Sequence, residues 1–231
     1  RERLRNLESS LRPTDLPGQI RSYAFSKEWS ALDIADTEGD EQSTTKALEQ
    51  VEDTCLDLGR QLGNDPEKRI ALLGEILRAD SRKTSMLGSG VAETVPSLSQ
   101  FWNSLKDVFI GIPAAQRRSQ FIDGFIAGAR IRAPEETEQI LDEILAEPRL
   151  HPYFVSWQSS AGLNDSALQR FMALLERDTV SVEVFQHLAW GRVLQPFSDA
   201  QLVTLLAGIW PKRPGGTEAA AEILAMHIHG R

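Results

Sequence analysis

Cysteine is nearly absent: the chain of 231 residues holds one, Cys55. A single thiol cannot close an intrachain disulfide or supply a cysteine-rich zinc site. Such cysteine usage points to a reducing compartment, and the expected location is the cytoplasm. Long hydrophobic runs are missing too. No apolar stretch approaches the ~20 residues that cross a bilayer, and the first residues, RERLRNLESSLR, do not read as a secretory leader. No membrane partner is expected. Long alternating Val, Ile and Thr runs are lacking, which argues against a sheet-based domain. Basic charge is in deficit: 25 Lys and Arg against 33 Asp and Glu leave a net charge of −8. A general nucleic-acid binder needs a clustered basic surface to neutralise phosphates, so that class is disfavoured. The basic pairs that do occur are Arg82-Lys83, Arg117-Arg118, Arg130 with Arg132, and Lys212-Arg213. They read first as solvated helix faces and last-turn cations that offset the helix dipole.

What is present is ordinary globular composition, 41% hydrophobic and 25% charged, enough to bury a core without staples. Apolar spacing of three and four predicts helices over about 2–12, 17–35, 44–63, 66–79, 97–110, 114–132, 135–147, 152–160, 165–177, 181–194, 198–210 and 216–229. Start signals agree: Asp65-Pro66-Glu67, Ala133-Pro134-Glu135-Glu136, Asp165 and Ser198-Asp199 all read as helix beginnings. Gly63 and Gly162 stand where helices should end. The chain opens on Arg, and Leu4, Leu7 and Leu11 already keep helical spacing, so a segment of a larger protein is expected.

Two stretches read as loops. Residues 36–43 are acidic; residues 81–96, with Gly88, Gly90 and Pro96, read as a linker or long loop. The expected organisation is an N-terminal helical segment over 1–80, the linker, and an array over 97–231. The array rests on a gapless shift of 31 residues, which aligns Ile122, Tyr153 and Val184; Ile126, Trp157 and Leu188; Ile140, Phe171 and Leu202; Leu141, Met172 and Val203; and Ile144, Leu175 and Leu206. Each unit reads as two short helices. Such a pair cannot bury its apolar face alone and must stack on its neighbours. The fold class is therefore all-α, a right-handed α-hairpin solenoid of HEAT- or tetratricopeptide-like architecture. The 31-residue period is short for those families, and their consensus motifs do not occur.

Motifs for chemistry are thin. Gly88-Ser89-Gly90 lacks the third glycine and the preceding strand of a dinucleotide fingerprint. Asp36, Glu38, Asp40 and Glu41 lack the glycine and glutamate positions of a calcium loop. His227 and His229, two apart on a helix, point to different faces. His151 reads as a capping or packing residue and His187 as core or edge. Cys55 continues the Ala47-Val51 stripe and reads as core. Ser159-Ser160 has no nucleophile elbow around it. Gly124 and Gly128, on one helix face, suit close helix packing. No catalytic, cofactor or metal residues are assigned, and the chain reads as non-catalytic by itself.

Trp190 and Trp210 fall outside the apolar columns, and Arg130 and Arg192 share a column. These four are the candidate partner-binding residues, because aromatic and Arg side chains concentrate binding energy at interfaces. The expected partner is a protein or another domain of the parent chain. The alternative is a nucleic-acid-binding solenoid using Arg82, Lys83, Arg117, Arg118, Arg130 and Arg132.

The stretch Gly191-Arg192 through Phe197-Ser198-Asp199-Ala200-Gln201-Leu202, followed by Gly215-Gly216-Thr217-Glu218 and Glu222-Ile223-Leu224-Ala225-Met226, resembles helical-repeat regions that follow the NTPase module of large bacterial STAND/NACHT-type proteins. The resemblance covers the C-terminal stretch only. It implies a sensor or scaffold array, with antiphage defence as a possible setting. The NTPase motifs are absent from this sequence, so no ATP site carries over.

Overall fold

The computed structural model describes residues 13–26, 41–177, 179–190, 192–212 and 214–229. Among them the chain is all helical, with no strand. The predicted helix over 2–12, Trp29 and acids 36–40 lie outside the described residues. Two compact units divide between Arg132 and Ala133.

In the N-terminal unit, α1 (Leu16–Tyr23) starts at Asp15, whose carboxylate accepts the Gly18 N–H at 3.2 Å. Helix α2 (Glu41–Asn64) is followed at once by α3 (Pro66–Ile76), which Asp65 caps through the Lys68 N–H at 3.0 Å, with Pro66 at its first position. Then come α4 (Thr84–Thr94), α5 (Leu98–Gly111) capped by Ser97, a short 3-10 turn (Ala114–Gln116), and α6 (Gln120–Arg132). Helix α4 packs between α2 and α6, while α3 packs on α2 and α5. Trp102, Phe109, Phe121 and Phe125 are fully buried among these elements.

Helix α4 corrects the sequence reading, which placed a loop or linker over 81–96. Glycine weakens an isolated helix by about 1 kcal/mol, so Gly88 and Gly90 argued for a loop. Here their missing side chains let backbones meet. A Cβ on Gly90 would overlap the Leu56 carbonyl oxygen of α2, and one on Gly88 would overlap the Phe121 carbonyl oxygen of α6. The opposing helices match this with Gly59 and Gly63 on α2 and Gly124 and Gly128 on α6. Polar groups tie the seams: Ser89 Oγ donates to the Gly124 carbonyl at 2.9 Å, and Thr94 Oγ1 to the Arg60 carbonyl at 3.0 Å. Burial of Leu87, Val91, Ala92 and Val95 supplies what propensity withholds. The Gly124/Gly128 pair serves close packing, as its spacing predicts.

The C-terminal unit holds α7 (Pro134–Ala146), a 3-10 turn (Pro148–Leu150), α8 (His151–Ser160), α9 (Asp165–Arg177), a 3-10 helix (Val182–Ala189), α10 (Asp199–Ile209) and α11 (Gly216–His229). Gly162, at φ 85°, ends α8 in the left-handed conformation that glycine adopts freely. Asn164, not Asp165, supplies the cap of α9, its side-chain oxygen accepting the Ala167 N–H at 2.9 Å. Ser198 and Gln201 form a reciprocal capping box at α10. Helix α9 packs on α7 and α10, and the segment Val182–Ala189 packs on α8 and α11. Phe154, Phe171 and Phe185 link three of these elements edge to face, with centroids 6.2 and 5.8 Å apart.

The predicted helix over 181–194 needs correction. It is a tight 3-10 helix ending at Ala189; Trp190 is extended and Arg192 sits at φ 58°, in the left-handed region. Helix 114–132 is likewise interrupted, since Arg117 is extended before α6 begins. The first three apolar columns stay inside or half-buried: Ile126, Trp157 and Leu188 are at most 2% exposed. The column of Leu141, Met172 and Val203 does not hold to its end, because Val203 is 65% exposed.

Candidate functional site

The positions of the charged side chains separate a protein-binding surface from a nucleic-acid-binding one. Arg117 donates to the Ile110 and Ile112 carbonyls, each at 2.8 Å, and lies over the Phe109 ring at 5.5 Å, closing the end of α5. Arg132 donates to the Ala92 and Val95 carbonyls at 2.9 and 2.7 Å and closes the end of α4. Both terminate helices by satisfying orphan carbonyls. Lys83 is buried, and that burial holds its ammonium below the ordinary lysine range. Arg118 reaches the Ala115 carbonyl at 3.2 Å and Asp80 at 3.6 Å. Four of the six cations assigned to a nucleic-acid face are thus engaged in holding the N-terminal unit together. Arg82 is exposed and Arg130 half-buried.

Among the described residues, Arg170 is the most enclosed arginine of the C-terminal unit. From α9 it donates to Asp142 at 2.7 Å and Glu138 at 2.5 Å, both on α7, and is 3.4 Å from Gln158 on α8. Burial opposes its charge, but the hydrogen bonds it donates to Asp142 and Glu138 outweigh it and hold the pKa above the usual arginine value. The missed signal was the spacing Glu138, Asp142: one helical turn apart, they form a carboxylate fork. His151 is fully buried with Nε2 2.8 Å from the Leu145 carbonyl and Nδ1 2.6 Å from Thr179 Oγ1. Arg177 donates to the same carbonyl at 2.6 Å, so both close the end of α7.

Cys55 is fully buried, and burial pushes its thiol up to about 11 while the Lys83 charge pulls the other way. Such a thiol is a poor nucleophile. Among the described residues no three His, Cys, Asp or Glu side chains lie close enough to share a metal ion, and no helix is long and apolar enough to cross a membrane.

The exposed features lie mostly in the C-terminal unit. Trp190 is 57% exposed and Trp210 56% exposed, each just past the end of a helical element. Arg192 is exposed on its turn, whereas Arg130 is in the last helical turn of α6. Their shared column therefore does not carry a shared backbone conformation. A second feature was not foreseen. Asp199, Leu202, Val203 and Leu206 of α10, with Leu224, His227 and Ile228 of α11, line an open apolar groove of about 330 Å³. No local signal marked it, because Val203 and Ile228 sit in apolar stripes that read as core.

Comparison with family models, with curated proteins and with solved structures finds no match for this chain.

Proposed function

We propose that the chain is an α-hairpin solenoid serving as a protein-interaction, scaffold or sensor module of a larger cytoplasmic protein, without catalysis of its own. The alternation of packing supports the array. In the C-terminal unit α7, α9 and α10 follow one another in one row, and α8, the segment Val182–Ala189 and α11 in another. The N-terminal unit repeats the scheme, with α2, α4 and α6 in one row and α3 and α5 in the other. The middle element of each three-membered row leans on the row members before and after it, which is how stacked helix pairs bury their apolar faces. The resemblance of the C-terminal stretch to helical-repeat regions of bacterial STAND/NACHT-type proteins fits a sensor role, with antiphage defence as its setting.

The exposure of Trp190 and Trp210 carries the binding reading. Binding energy at interfaces concentrates in a few Trp, Tyr and Arg side chains, and these two tryptophans are open to solvent. The nucleic-acid alternative is weakened by the internal work of Arg117, Arg132, Lys83 and Arg118. Cross-linked affinity capture with the full parent protein tests the proposal. The Trp190→Ala/Trp210→Ala variant should lose its partner while melting at the wild-type temperature. Undiminished capture, or tight salt-dependent binding to duplex DNA or RNA, would count against it.

A further inference from the structure

A cavity of about 230 Å³ opens inside the C-terminal unit where three stretches meet: the end of α9, the start of the 3-10 helix, and the turn from α10 into α11. Leu174, Leu175, Val182 and Phe185 line it, apolar side chains that belong to the core. Two polar side chains share the lining, Ser181 and Lys212. Ser181 Oγ accepts the Glu183 N–H at 3.4 Å, which leaves its own O–H to donate. Lys212 is half-buried, and among the described residues its ammonium forms no ion pair. Glu183 packs against the same turn, its Oε1 3.7 Å from where a Cβ on Gly215 would stand, without pairing to Lys212.

Interiors are close-packed, and voids larger than a water molecule are few in a domain. An apolar cavity of ~150 Å³ stays dry and takes up benzene, so this one has room for a single ring or a chain of about six to eight carbons. The polar pair sets the head group. One cation balances one negative charge, and two donors match the two oxygens of a carboxylate. A phosphate monoester, with a second charge and a third oxygen, would leave both unmet.

We propose that this cavity binds a small ionised carboxylic acid, a medium-chain or aromatic monocarboxylate. Its apolar end lies against Leu174, Leu175, Val182 and Phe185, and its carboxylate on Lys212 and Ser181. A mostly apolar pocket with a few convergent polar groups is the usual form of a small-molecule site. Neither the row packing nor Trp190 and Trp210 takes part in it.

The test is methyl-resolved NMR of the full chain titrated with octanoate. Saturable shifts are expected at the Leu174, Leu175 and Val182 methyls, with Kd of about 1 mM or below. Lys212→Gln should weaken binding about tenfold or more; Lys212 stands on a turn, so the variant should melt like wild type. Two further probes act on the unaltered protein. Butanoate should bind about tenfold or more weakly, because it leaves the apolar lining uncovered. Octylamine, with the same chain and the opposite charge, should not saturate the site. Equal binding of octylamine and octanoate, or equal affinity for Lys212→Gln, would overturn the proposal by removing the carboxylate's role. Shifts at Leu224 and Ile228 in place of the cavity methyls would also overturn it, placing the ligand on the open groove. So would the absence of saturable shifts.

Discussion

Gly59 on α2 and Gly90 on α4 meet backbone to backbone: a Cβ on Gly59 would lie 3.0 Å from Gly90 Cα and overlap the Leu87 carbonyl oxygen. Gly88, on the other side of α4, makes the same approach to α6. One short helix is thus held by its two neighbours through absent side chains, and the seam tolerates no added carbon.

Gly90→Ala is therefore expected to destabilise the chain by about 1–3 kcal/mol through overpacking, even though alanine improves helix propensity by about 1 kcal/mol. Gly111, at the end of α5, has nothing within 4 Å of its added Cβ. Gly111→Ala should be neutral or stabilising, by no more than about 1 kcal/mol. Urea unfolding of both variants checks the contrast. Equal effects would deny the close seam.

Arg170 and Arg149 provide a second contrast. Arg170 has 8% of its side chain exposed between Glu138 and Asp142, while Arg149 is 61% exposed beside Glu147. Removing a buried partner strands charge; removing a surface one hardly matters. Arg170→Ala should cost about 2–4 kcal/mol, the partial exposure of its acids keeping it near the lower part of the buried-pair range. Arg149→Ala should cost under about 1 kcal/mol. Denaturation midpoints at fixed slope decide it.

Legibility of the sequence followed the physics of each signal. Amphipathic helices with capping residues were readable: Asp65-Pro66 and Ser198 through Gln201 mark starts that the structure keeps. Helix α4 was not, because its glycines lower local propensity and their benefit appears only against α2 and α6. The turn after Ala189 was also hidden. A periodic stripe through Phe185 and Leu188 fits an α-helix or a 3-10 helix, and no local signal places Arg192 in the left-handed region. The candidate pair Trp190 and Trp210 was visible as aromatics outside the columns. The groove was not, since Val203 and Ile228 look like core residues until their missing neighbours are seen.

Cys55 offers a reactivity test with a definite sign. Burial raises the thiol from 9.0 to about 11, so at pH 8 the folded chain holds far less thiolate than an unfolded one. Labelling by Ellman's reagent at pH 8 should be at least about a hundredfold slower in buffer than in denaturant, burial and pKa acting together. Raising the pH from 8 to 9 should speed native labelling without bringing it to the unfolded rate. A native thiol that reacts as fast as the unfolded one would place Cys55 at the surface.

The central claim is a stack in which each helix pair is stabilised by its neighbours. Native-state hydrogen exchange on Leu205→Ala tests it most directly, because Leu205 is fully buried on α10. Nearest-neighbour stacking predicts that opening free energies of α10 and α11 amides fall by about 2–5 kcal/mol. Those of α7 and α8 should change by less than about 0.5 kcal/mol. An equal fall at every amide from α7 to α11 would contradict the array and mark the unit as one cooperative globule.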